Sequence, residues 1–217
     1  MRKNLLISLL IISFLFLILS STACAPSKPP TPPQPEEDTA IYNFEDGTQE
    51  WQKASGDDGS AVINVSQDTS KAYKGSGSLK VDVKLIKGTQ EKAGQEKAGV
   101  EVYFDDPVDM TGKTLTIHMY IDPAIKGTDN GIQIFVKDDD WSYGAGPWIS
   151  VTDDKVDKWI EVSLNFENPG WSWSGGGSDN NLDITKIKAI GVKIQMGGQT
   201  PAGETLEGSY WLDSINY

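Results

Sequence analysis

Five of the chain's seven tryptophans fall between Trp141 and Trp173, mostly among glycine, serine, aspartate and asparagine. One run reads Asp138-Asp-Asp-Trp-Ser-Tyr-Gly-Ala-Gly-Pro-Trp148, and another reads Asn168-Pro-Gly-Trp-Ser-Trp-Ser-Gly-Gly-Gly-Ser178. Core tryptophans keep apolar, periodic company, so indoles in stretches this polar are poorly placed for a core. Flat aromatic faces beside amides and carboxylates suit ligands with apolar faces and hydroxyl rims, of which sugars are the commonest. Trp141, Tyr143, Trp148, Trp171 and Trp173 are therefore candidate stacking residues. Each good aromatic contact adds about 0.5–1.5 kcal/mol beyond area burial. Trp-Ser-Trp followed by three glycines has little to pack against, which favours Trp171 and Trp173. For Trp148, stacking and a structural lid weigh evenly. Trp51, Trp159 and Trp211 read as structural.

The elements that must position these rings are strands. Thr114–Ile121 alternates strictly, with Leu115, Ile117, Met119 and Ile121 on one face and Thr116, His118 and Tyr120 on the other. Gly131–Lys137 places Ile132, Ile134 and Val136 inward, with Gln133, Phe135 and Lys137 outward. Ile190–Met196 repeats the pattern and leaves Lys193 and Gln195 outward. Shorter strands are expected at Ile41–Phe44, Ser78–Lys84, Gly99–Phe104, Trp159–Leu164 and Ser209–Ile215. Short strands at this spacing, broken by Gly, Asp and Pro turns, predict an all-β antiparallel sandwich. Gln133, Lys137 and Gln195 share a non-core parity beside the aromatic loops. Their amide and ammonium groups can address sugar hydroxyls.

Catalytic constellations are sparse. His118 is the only histidine, so a Ser-His-Asp system lacks its surrounding parts. A glycosidase needs only two carboxyls, about 5–5.5 Å apart for retention or 6.5–9.5 Å for inversion. Glu101 and Glu161 are the one strand-borne outward pair, and they define the enzymatic alternative to pure binding. Solvated outer-face positions explain them better, so no catalytic residue is expected. The direct repeat Gln90-Glu-Lys-Ala-Gly, Gln95-Glu-Lys-Ala-Gly99 fits a solvated loop.

The chain opens with Met-Arg-Lys-Asn and an apolar stretch, residues 5–19, which ends in Ser20-Ser-Thr-Ala-Cys24. The apolar stretch falls short of the roughly 20 residues of a membrane span. It resembles a bacterial lipoprotein signal, residues 1–23, with the lipobox cysteine at Cys24. Cys24 is the only cysteine, so an intrachain disulfide is excluded. Lipid on Cys24 would anchor the protein on the extracytoplasmic side of the membrane. Residues 24–39 then carry six of the 11 prolines and read as an extended polyproline spacer. Residues 40–217 are long enough for one domain with a sizeable core. The net charge of −12, or −14 once Arg2 and Lys3 leave with the signal, argues against nucleic acid as a partner.

Four motifs in order bring a resemblance. They are Asn43-Phe-Glu-Asp-Gly-Thr-Gln-Glu-Trp51, Lys74-Gly-Ser-Gly-Ser-Leu-Lys-Val81, Leu182-Asp-Ile-Thr-Lys-Ile-Lys-Ala-Ile-Gly-Val-Lys-Ile194 and Tyr210-Trp-Leu-Asp-Ser-Ile215. Together they resemble the galactose-binding-like jelly-roll modules of bacterial polysaccharide hydrolases, nearest to mannan- and glucan-binding families such as 27 and 11. The resemblance implies a monomeric jelly roll that binds β-mannan or β-glucan at the cell surface without cleaving it. It also implies a structural Ca²⁺ held by Glu45 and Asp213, with loop carbonyls near Lys74 and Gly77. Calcium takes six to eight oxygens, so those two carboxylates alone are not a site. A surface structural or adhesive lipoprotein is the remaining alternative.

Overall fold

The computed structural model describes residues 40–217. The expected signal segment and the spacer with Cys24 lie outside the described residues. Twelve strands, all paired antiparallel, form two sheets, and the described residues contain no α-helix. The larger sheet runs in the order β1 (Gln52–Lys53), β4 (Lys97–Val108), β11 (Ile187–Gln195), β6 (Gly131–Asp138), β7 (Ser142–Ala145) and β10 (Trp173–Gly176). A short strand, β8 (Ile149–Ser150), also pairs with β6. The smaller sheet runs β2 (Val62–Asp68), β3 (Ser78–Ile86), β12 (Thr205–Asn216), β5 (Thr114–Ile121) and β9 (Trp159–Asn165). This is the expected all-β jelly-roll sandwich.

The core lies between the sheets and follows the alternation. Leu115, Ile117, Met119 and Ile121 of β5 are completely buried, as are Leu79, Val81, Val83 and Leu85 of β3. Ile132, Ile134 and Val136 of β6 face them from the other sheet, with Ile190, Val192 and Ile194 of β11. Each such side chain contributes about 1.5–3 kcal/mol on burial. Tyr210 is completely buried too, and its hydroxyl donates to the Ala98 carbonyl at 3.0 Å across the core. A bulge between Ile187 and Ala189 shifts the register of β11 by one residue against β6 and by three against β4. The shift lets Ile187 and Ile190 both face inward despite their odd spacing.

One expected strand does not form. Of Ile41–Phe44, only Tyr42 bridges Ile215, because Phe44 turns the chain with φ of 55°. Strands β2, β7 and β10 carry no clean apolar alternation and arise instead from backbone pairing to longer neighbours.

Candidate functional site

The outer face of the larger sheet carries the polar chemistry. Across the strands, Glu101, Gly191, Phe135, Ala145 and Trp173 stand in one register row. Gly99, Lys193 and Gln133 form the next row, and Lys97, Gln195 and Gly131 the one after. On the other side lie Tyr103, Lys137 and Tyr143. Glycine and alanine in the central row keep the middle low. Phe135 lies flat over Gly191, where a Cβ would meet its ring at 2.2 Å, and it stacks on Tyr143 at 5.4 Å and 15°. Beside these rings lies a hollow of about 510 Å³, with the Tyr143 and Trp173 rings in its lining.

One wall comes from outside the sheet. Ala54 donates to the Gly99 carbonyl and Ala61 to the Lys97 carbonyl, which ties residues 54–61 across β4. Between them the 3-10 turn Gly56–Gly59 projects Asp57 and Asp58 toward the hollow. Gly99 makes room for the turn, since a Cβ there would sit 2.8 Å from the Asp58 carbonyl.

The polar floor is internally paired. Lys137 lies 2.5 Å from Glu101 and donates to Ser55 Oγ at 2.8 Å. Glu101 is completely buried and also accepts from the Ser55 backbone N–H at 2.7 Å and from the Tyr103 hydroxyl. Lys193 donates to Asp58 at 2.8 Å and to the Tyr143 hydroxyl at 2.9 Å. Burial works against the Asp58 charge, but the ammonium of Lys193 and the hydrogen bonds it and Tyr143 donate outweigh it. The Asp58 carboxyl is held below its ordinary value. Burial first, and then the Asp58 charge, push the Tyr143 phenol far up.

The eight expected binding residues separate into groups. Gln133, Lys137, Tyr143 and Trp173 line the hollow. Trp173 is 54% exposed and leans on Tyr143 at 5.8 Å and 50°. Gln133 and Lys137 are floor groups rather than open rim groups, being only 7% and 8% exposed. The Gln133 amide donates to the Gly146 carbonyl and to Ser172 Oγ. Trp141 is exposed at the Tyr103 end, with φ of 65° and its ring edge-on to Tyr103 at 5.7 Å. Trp148 and Gln195 border a second hollow at the opposite end, where the Trp148 indole lies over Gly131.

Trp171 departs from expectation. It is half-buried and packs on the core side, edge-on to Phe166 at 6.2 Å. The cause is Gly144, whose missing side chain leaves an inner-face gap that Trp171 and Leu182 fill. Trp51 and Trp211 are buried, and Trp159 is half-buried on the outer face of the smaller sheet. There it joins Tyr120 and Trp211 in one cross-strand row. Phe135, Lys193, Asp58 and Tyr103 belong to the site without having been nominated. For Phe135 and Lys193 the signal was present, because their parity is that of Gln133 and Gln195.

The glutamate pair is not brought together. Glu101 is sealed in the larger sheet, whereas Glu161 is exposed on β9 of the smaller sheet, 3.8 Å from His118 Nε2. Face-to-face sheets stand about 10 Å apart at the backbone, and these side chains point away from each other. Neither glycosidase separation is reachable.

The calcium expectation meets an unsuitable donor set. Glu45 accepts from the Ser76 N–H at 2.7 Å, the Gly77 N–H at 3.0 Å and the Ser76 hydroxyl. Asp213 accepts from the backbone N–H groups of Tyr73, Lys74 and Ser214. Hydrogens therefore point at both carboxylates where a cation would have to sit. Among the described residues, no three Asp, Glu, His or Cys side chains gather as a metal site. The donors stabilise the charged carboxylates, holding Glu45 below its ordinary value through the Ser76 hydrogen bonds, and do not form an oxygen cage.

No protein-family model matches the chain, and no curated protein matches it. Solved structures do. A carbohydrate-binding module studied for the promiscuous specificity of the β-sandwich superfamily is 23% identical, with a TM-score of 0.52 over 82% of this chain and 61% of that one. The chain thus spans about three fifths of that structure. The family 11 carbohydrate-binding module of a cellulosomal cellulase from Clostridium thermocellum is 14% identical, with a TM-score of 0.50 over 84% of this chain and 94% of that one. A family 28 module specific for non-crystalline cellulose is 17% identical, with a TM-score of 0.52 over 84% and 95%. At these identities the likeness defines a fold, the jelly-roll β-sandwich of carbohydrate-binding modules.

Proposed function

We propose that the protein binds polysaccharide, without cleaving it, in the hollow on the outer face of the larger sheet. The observation that carries this reading is Trp173, which opens its ring to solvent beside Tyr143 and above a floor of Lys193 and Gln133. An apolar plate next to fixed donors and acceptors matches a pyranose, with its C–H face and hydroxyl rim. Two or three such contacts with a few hydrogen bonds give micromolar affinity, about −8 kcal/mol. A β-linked mannan or glucan is the proposed class of ligand. Affinity gel electrophoresis over a glycan panel tests the reading. Retardation by one or more neutral polysaccharides, with no release of reducing ends, is the expected result. No retardation on any of them would leave a structural or adhesive protein.

The proposed site of action is the extracytoplasmic surface, with a monomeric module tethered through lipid on Cys24. The apolar residues 5–19 followed by Ser-Thr-Ala-Cys support the tether. Cys24→Ser should leave the signal unprocessed and release the protein from lipid-dependent membrane association. Unchanged processing and association in that variant would reject the anchor.

A further inference from the structure

We infer that Asp57 and Asp58 set the charge selectivity of the groove. By neutralising Lys97 and Lys193, they keep it for uncharged glycans and deny it to uronate-bearing chains. This rests on the reading that the groove takes a glycan. Three ammonium groups share one sheet face, those of Lys97 and Lys193 in adjacent register rows and that of Lys137 two rows beyond Lys193. Left alone, such a trio would attract carboxylates. Each is countered instead. Lys137 has Glu101 from the sheet itself at 2.5 Å. Lys193 has Asp58 at 2.8 Å, and Lys97 has Asp57 at 2.8 Å with Asp58 at 3.6 Å.

Two of the three counter-charges thus come from a single four-residue turn, Gly56–Gly59. The sheet supplies cations that the turn cancels. An incoming uronate finds no spare positive charge and meets two aspartates at the wall, and like charges brought together at an interface are strongly unfavourable. A neutral chain pays neither penalty. The Lys193 side chain is only 5% exposed and the Asp58 side chain 14%, so solvent screens this pair weakly. Asp57 and Asp58 act through the lysines and are positioning residues.

The test compares wild type with Asp57→Asn/Asp58→Asn, using the full-length chain in neutral detergent. The probes are polygalacturonate and whichever neutral polysaccharide the panel retains. The readout is the ratio of the two affinities, which a loss of general stability does not shift toward the anion. Wild type should favour the neutral chain at least tenfold. The double variant should raise the polygalacturonate ratio roughly tenfold, equal to about 1.4 kcal/mol. The gain should be largest at about 0.01 M salt and shrink at about 0.15 M, as the screening length falls from about 30 Å to about 8 Å. Should the double variant not fold, Asp57→Asn alone, at a side chain 70% exposed, should give a smaller gain of the same sign. Asp58→Glu should restore the wild-type ratio. An unchanged ratio in a folded variant, or a wild type that binds polygalacturonate as well as the neutral chain, overturns the inference. A wild type that binds no neutral glycan overturns the glycan reading itself, and this inference with it.

Discussion

Trp173→Ala is the sharpest perturbation of the proposed site. An indole side chain offers roughly 150–250 Å². With 54% of it open, about 100 Å² is available to a ligand. A sugar face covering about half of that removes roughly 50 Å² from water, worth about 1.3 kcal/mol at 25 cal/mol/Å². Stacking adds about 0.5–1.5 kcal/mol, for a total near 2 kcal/mol. The expected loss is about thirtyfold in affinity. Stability should barely change, since Trp173 begins an edge strand and its ring leans only at a tilt on Tyr143. Isothermal titration with the retained polysaccharide measures the first effect, and thermal melting monitored by circular dichroism measures the second. Full affinity in a folded Trp173→Ala protein would remove the aromatic platform and the argument built on it.

Trp171→Ala should behave in the opposite way. The ring is half-buried on the core side, so about 2 kcal/mol of stability should go, against roughly 3–5 for a fully buried aromatic. Urea unfolding measures it, and a midpoint equal to wild type would contradict the placement. Glycan binding should be flat between about pH 5 and pH 8, because the Asp58 carboxyl is held low and the Tyr143 phenol pushed high. The stabilisation from Asp58 is present above its unfolded value near 3.9 and is lost as pH falls through the lower folded value. A pH titration of melting temperature should therefore show the Asp58→Asn difference vanish only in acid, and a difference that vanished near neutrality would be inconsistent with the pair. EDTA should leave the melting temperature where it is, since N–H donors already occupy Glu45 and Asp213. A metal specific for the native state at a hundredfold excess over its Kd would contribute about 2.7 kcal/mol, so a drop of several degrees on chelation would reinstate calcium.

The sandwich was legible where one face of a strand is buried and the other is not. Strand β5 runs over the residues its alternation predicts, and β6 differs by one residue. The outward parity of Gln133 and Lys137 placed them on the right face, but parity says nothing of depth. The Ser55 end of the Gly56–Gly59 turn, 82 residues upstream of Lys137, seals that face, and no local pattern reports it. Strands β7 and β10 were unreadable because Ser-Tyr-Gly-Ala and Trp-Ser-Gly-Gly have no apolar period and are held by backbone ladders. Trp171 was misplaced because its cavity is made by an absence, the missing side chain of Gly144 on a strand that was itself unseen. The glutamate pair failed for a topological reason, since identical parity in two strands does not say which sheet each joins.

The position of β12 has a kinetic consequence. It is the last strand in the chain, yet it lies in the middle of the smaller sheet, with β3 on one side and β5 on the other. Its partners precede it by roughly a hundred residues, as in the pairings of Tyr210 with Val81 and with Ile121. Until it arrives, β2–β3 and β5–β9 are two separate hairpin-like fragments with open edges, and the larger sheet has no complete lid for its apolar face. Loop closure must come before those contacts reward it, which slows folding in domains of high contact order. Completion of the sandwich therefore waits for the final dozen residues, and a chain truncated before Thr205 should accumulate as a sticky intermediate rather than as a smaller working domain.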